Sequence, residues 1–206
     1  MNGPSVTSIC CFPNPLTGGP CGAKAMSEVM RTAHYKTVLH AMMLNALWFS
    51  VVLGVAYAHK ITALVVFAFM VLLAVYEGLL RSDVVALVLG LVVGVALDGF
   101  MQHYAWVSYG QWFNDFKWLP PVWILMLWVG FALSLKIGMR WLFKRYWIGA
   151  VFLGIGAPLS YFSAEKLGAV SLHKPLAVMV LLALGWLFYY SMLYVINSSW
   201  RTAYES

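Results

Sequence analysis

From about residue 37 to residue 196 the chain is a succession of continuous apolar runs, each close to twenty residues long. That length matches what a helix needs to cross the hydrocarbon of a bilayer, about 20 residues. A membrane β-barrel would instead show alternating segments of about ten residues, and no such alternation is present. Composition agrees: 63% of the 206 residues are apolar and 10% charged, against about a half and a quarter in an ordinary soluble domain. A soluble globular domain and a disordered chain are both excluded. The reading is an all-α, polytopic membrane helix bundle of about six transmembrane helices.

The spans expected are 37–58, 61–80, 84–104, 119–142, 147–168 and 175–196. Residues 1–36 form a separate segment holding four prolines and all three cysteines, read as a disordered cytoplasmic tail. It lacks the apolar centre of a secretory signal or of a lipoprotein-type signal. Cys10, Cys11 and Cys21 match no strong metal-ligand spacing. Met26 and Met30 are alternative starts to Met1. Residues 37–197 are the membrane domain, and 198–206 a short cytoplasmic tail.

Thirteen Lys and Arg stand against seven Asp and Glu, with no basic patch dense enough to track nucleic-acid phosphates. The surplus sorts by side. Lys24, Arg31, Lys36, Arg81, Lys136, Arg140, Lys144, Arg145 and Arg201 flank one set of helix ends. Lys60, Lys117, Lys166 and Lys174 flank the other. Positive charge collects on the cytoplasmic side, so both termini are expected in the cytoplasm of a bacterial inner membrane. Aromatics cluster where water meets hydrocarbon, densest in AWVSYGQWFNDFKW at 105–118. That stretch reads as an interfacial segment, either a lid or lipid-entry surface, or a belt that anchors the loop.

Ionisable groups within spans usually face the bundle interior and often serve function. Asp98 is the leading anomaly, about 20 Å into its span. It lies on a stripe of small residues, Ala86, Gly90 and Gly94 at spacings of four, that allows close helix approach within the chain or to a second copy. Gln102 continues this face, and His103 lies at the membrane edge. Asp98 either ties helices together by hydrogen bonds or acts as a proton relay in a buried polar site. Asn45 is the second anomaly, an amide in hydrocarbon that needs partners. The third is GIGAPLSYFSAEKLGA, where Pro158 falls near mid-membrane. Its missing N–H predicts a kink and a free carbonyl at Gly154, followed by Ser160, Tyr161 and Ser163. Glu77 and Arg81 have helical ion-pair spacing, Ser82 and Asp83 suit a helix start, and Pro120 and Pro121 suit the start of the fourth span. The histidines, His40 among them, are scattered with no ligand spacing, and no HExxH, nucleophile elbow or phosphate loop is present. No metal or cofactor is expected.

NALWF at 45–49, ALD at 96–98, PPVWILMLWVGFALSL at 120–135 and GAPLSYFSAEKLGAV at 156–170 resemble an uncharacterised family of bacterial inner-membrane proteins, known only as a domain of unknown function. The resemblance covers about 36–196. It implies a link to membrane-lipid modification or envelope stress, because members are often encoded near genes resembling cyclopropane-fatty-acid synthase and flavin-dependent amine oxidases. The family motifs fall on Asn45, Asp98, Trp123, Trp128 and Pro158. Three functions compete. One is an accessory protein serving lipid-modifying enzymes, with membrane lipids as partners. The second is an intramembrane enzyme on lipids or isoprenoids, with Asp98, Asn45 and Tyr161 as catalytic candidates and Gln102, His103, Trp123, Trp128, Pro158 and Ser160 as binding candidates. The third is a small-solute or proton-coupled carrier. A homo-oligomer through the Gly90–Gly94 face is also open.

Overall fold

The computed structural model describes the backbone of residues 20–78, 84–112, 119–135 and 137–205, and side chains at 31, 34–78, 84–112, 119–135 and 137–196. Contacts divide the chain into two units, Met1–Lys36 and Thr37–Ser206. Arg81, Ser82, Asp83, Phe113, Phe116, Lys117, Trp118 and Lys136, and the side chains of the three cysteines, lie outside what is described.

Six α-helices account for most of the chain: α1 Pro20–Ala56, α2 Lys60–Tyr76, α3 Val84–His103, α4 Val122–Leu135, α5 Tyr146–Lys166 and α6 Pro175–Glu205. α1 begins within the segment expected to be unstructured. Four stretches are long and apolar enough to cross a membrane: His34–Ala56, Val84–His103, Tyr146–Lys166 and Pro175–Ile196. The chain is a multi-pass membrane protein.

The other two helices are shorter than the sequence suggests. α4 was expected over 119–142 but ends at Leu135, and a turn and a 3-10 helix, Arg140–Lys144, follow. Ten of its fourteen residues are buried, against 28–39% of residues in the four long spans. α4 is therefore the central helix. Its flanks need not be helical, because irregular backbone is tolerated at membrane depth where protein surrounds it. Gly138 shows the constraint: a Cβ there would lie 2.9 Å from His40 Cβ, so chain and helix meet too closely for any side chain.

The stripe on α3 is filled from within the chain. A Cβ on Gly90 would lie 3.0 Å from Tyr189 Oη of α6, and one on Gly94 would lie 2.6 Å from the Trp128 indole of α4. Both glycines are buried. Small residues here admit two large aromatic rings, and dispersion contacts of this kind drive helix packing where lipid offers no hydrophobic force.

A two-stranded antiparallel sheet caps one end of the bundle. β1, Val107–Tyr109, pairs with β2, Val170–Leu172, in the register Val107↔Leu172, Ser108↔Ser171 and Tyr109↔Val170. The end of α5 delivers β2 through Gly168, whose φ of +83° suits the left-handed residue that closes helices. The Ala169 N–H then returns to Ala164 O at 2.9 Å. Glu165 Oε1 accepts the Leu172 N–H at 2.9 Å, which accounts for an acidic residue near the membrane surface.

At the opposite end α1 and α2 are joined by a pair that sequence spacing does not reveal. His40 Nε2 lies 2.7 Å from Glu77 Oε2, with side chains 1% and 7% exposed. The Arg81 expected at ion-pair spacing from Glu77 lies outside the described residues, and His40 was read only as one of several scattered interfacial histidines. A charge removed from water requires a partner close by, and His40 stands there.

Candidate functional site

Asp98 is completely buried and receives three hydrogen bonds from three different elements. Tyr109 Oη of β1 donates to Oδ1 at 2.9 Å, Trp128 Nε1 of α4 donates to Oδ2 at 2.8 Å, and Tyr161 Oη of α5 donates to Oδ1. A buried carboxyl group is tolerable when its oxygens are satisfied in this way. The 105–118 segment therefore does not simply lie along the interface. Over its described part it turns inward: Tyr109 and Trp112 are buried, Gly110 N–H donates to Ala169 O at 2.9 Å, and Trp123 Nε1 donates to Gly110 O at 2.7 Å. Burial pushes the Tyr109 phenol well above its usual pKa, with the facing Asp98 carboxyl as the second cause. Tyr109 thus stays a donor.

Beside this hub lies a cavity of about 300 Å³ between α1, α4 and α5, at the low end of the range for small-molecule sites. α4 supplies the floor with Trp123, Trp128 and Phe131, and α1 supplies Leu44, Asn45, Trp48 and Val52. α5 supplies residues from Phe152 to Ala164, which spans about 18 Å along its axis. Trp186 of α6 closes the back, stacked on Trp128 with ring centroids 4.5 Å apart. Of the lining residues Phe152 is 46% exposed, and Asn45 is exposed too. Phe49 of α1 and Ile155 and Leu159 of α5 are likewise exposed apolar side chains. Gly156 lines the cavity, and a Cβ there would meet nothing within 4 Å.

Asn45, Trp123, Trp128, Ser160 and Tyr161 converge on this cleft, and Asp98 stands directly behind its Trp128–Tyr161 wall. Gln102, His103 and Pro158 are not among the lining residues. Gln102 Oε1 is buried without a partner among the described residues, His103 packs edge-on against Tyr104, and Pro158 is partly buried. Pro158 does not interrupt the helix, since α5 continues through it from Tyr146 to Lys166. A proline removes one intrahelical bond, and the turns on either side hold the helix. Asn45 does not reach Asp98; its amide Nδ2 donates to Ala41 O at 2.8 Å, four residues back on its own helix. Ser160 does the same toward Ala157 O at 2.8 Å. No group of three metal-ligating side chains occurs among the described residues. Tyr109 is the site residue missed by sequence reasoning; its only signal was membership of an aromatic cluster.

These features define a mostly helical, multi-pass membrane protein with an apolar cleft backed by a buried aspartate. Within that class the chain belongs to the family described as Protein of unknown function (DUF2878), whose model matches residues 37–192. No curated protein and no solved structure matches it.

Proposed function

We propose that this protein holds a lipid chain in its apolar cleft, in the bacterial inner membrane with both termini cytoplasmic, as an accessory to fatty-acyl modification. The observation that carries the reading is the 300 Å³ apolar cleft opening between α1 and α5. Lipid tails are as apolar as leucine, so a chain gains no hydrophobic free energy by leaving the bilayer for a groove. Retention has to come from close packing and from polar contacts. The cleft offers both: flat indole walls, and Asn45, Ser160 and Tyr161 as the polar groups along it. Asp98 serves this cleft as a positioning residue, because two of its three donors are wall residues.

A second reading, an intramembrane enzyme on lipid or isoprenoid substrates, draws on the direct contact of Tyr161 with Asp98. Catalysis requires the acid or base to reach the substrate within about 3 Å, directly or through one water. The Asp98 carboxyl is fully buried and occupied by three donors, which favours the accessory reading.

Total-lipid mass spectrometry of a host strain lacking the gene tests the proposal. A fatty-acyl class should be altered on deletion, restored by the wild type, and not restored by Gly156→Phe, which fills the cleft at a position with open space around it. Unchanged lipids in the deletion strain, under conditions that express the protein, would overturn it.

A further inference from the structure

The cleft does not end in featureless surface. Its lining includes Met139, and the next residue opens the 3-10 helix Arg140–Lys144. Arg140, Lys144 and Arg145 are all exposed. Among the described residues none of them forms an ion pair. Between them Trp141, 38% exposed, stands edge-on to Phe152 with ring centroids 5.3 Å apart, and Phe152 is itself at the cleft mouth. Trp147 follows, 76% exposed. Three unpaired cations framed by two exposed indoles therefore sit at one end of an apolar groove. Tryptophan settles at the depth of lipid headgroups, and basic residues there attract anionic lipids.

Resting on the cleft reading above, we propose that the occupant is an anionic phospholipid, with an acyl chain in the cleft and its phosphate-bearing headgroup held by Arg140, Lys144 and Arg145. The charge is placed to select the lipid, while the groove selects only a chain. Arginine suits this because its planar fork meets phosphate oxygens in pairs. A polar headgroup at this level also leaves the chain to run past Leu153 and Gly156 toward Ser160 and Tyr161, along the length of the groove.

The test uses the full chain, purified in a zwitterionic-lipid nanodisc, with spin-labelled phosphatidylglycerol and phosphatidylcholine of identical chains as probes. The immobilised fraction of each is measured at low and high salt. The wild type should retain phosphatidylglycerol about tenfold better than phosphatidylcholine at low salt. Salt should erode that preference, and the triple variant Arg140→Gln, Lys144→Gln, Arg145→Gln should abolish it. Because basic flanks also set helix orientation, the salt titration of the wild type decides independently. Gly156→Phe should release both lipids equally. Equal retention of the two lipids by the wild type, lost in Gly156→Phe, would overturn the headgroup assignment and leave the cleft standing. No immobilised lipid of either kind, or no effect of Gly156→Phe, would overturn the cleft and the headgroup assignment together.

Discussion

Asp98 shows how one polar residue organises an apolar interior. Three donors from β1, α4 and α5 meet on its carboxyl group, so removing a single partner leaves a buried polar group unsatisfied, at about 1–3 kcal/mol. Asp98→Asn is the informative change. It keeps the shape but sets an amide N–H toward the Trp128 indole N–H, or gives up a tyrosine if the amide flips. Asp98→Asn and Trp128→Phe are each expected to destabilise, and the double variant by at least about 0.5 kcal/mol less than their sum. Thermal unfolding of the four proteins in one detergent measures this; strict additivity would mean that the indole bond contributes nothing. The glycines give a second contrast. Gly94→Ala forces a Cβ within 2.6 Å of a rigid indole, an overpacking worth about 1–3 kcal/mol. Gly156→Ala enters open space and should leave the unfolding temperature unchanged or raise it slightly. Asp98 and its small-residue stripe were legible in the sequence because a short acidic side chain cannot reach water from mid-helix. Its donors were not, since tyrosine and tryptophan are equally at home in an interfacial belt.

Elements followed the same division. The apolar runs placed all six helices, because backbone in hydrocarbon has few alternatives to the helix. They misplaced the end of α4, since hydropathy does not distinguish a helix facing lipid from a segment wrapped by protein. The sheet was invisible: each strand is three residues long, too short for alternation to register, and their pairing joins positions more than sixty residues apart. Yet the sheet delivers Tyr109 to Asp98, and that bond ties it to α3. The Tyr109 phenol has its pKa raised on folding. Its protonated form is the one the fold prefers, so this stabilisation is complete below the unfolded value of about 10 and is lost only as pH rises through the higher folded value. Alkaline titration of phenolate absorbance should therefore show one fewer tyrosine ionising in Tyr109→Phe only at pH well above 10. A difference appearing near pH 10 would mean that the phenol faces solvent. Tyr109→Phe should also raise hydrogen exchange in 107–109 and 170–172 more than in α3.

The strand pairing constrains the whole molecule in a way that helix length alone does not. Among the described residues four helices are long and apolar enough to span by themselves; α2 and α4, at seventeen and fourteen residues, reach about 26 and 21 Å against a core of about 30 Å. If these two dipped in and returned, the ends of α3 and α5 would fall on opposite faces of the membrane. The strand pairing argues against that, because β1 follows α3, β2 follows α5, and the two strands are hydrogen-bonded in register. A further crossing is therefore expected between them, and α4 is the segment for it, running from the Trp123–Gly110 bond at the sheet end toward Gly138 beside His40. α2 is bound in the same way. It starts just after α1 reaches the sheet end, where a Cβ on Gly54 would touch Trp112, and it finishes with Glu77 against His40. Six crossings, the expectation tested next, would place Thr37 and Ile196 on one side and the sheet on the other. In a chain with Cys10, Cys11 and Cys21 replaced by serine, Ser108→Cys should react with a membrane-impermeant maleimide on intact cells. Lys144→Cys should react only after permeabilisation, and reporters fused at either end should both report cytoplasm. Labelling of both cysteines from the same side would mean that α4 does not cross, and would separate the strands whose pairing holds Tyr109 on Asp98.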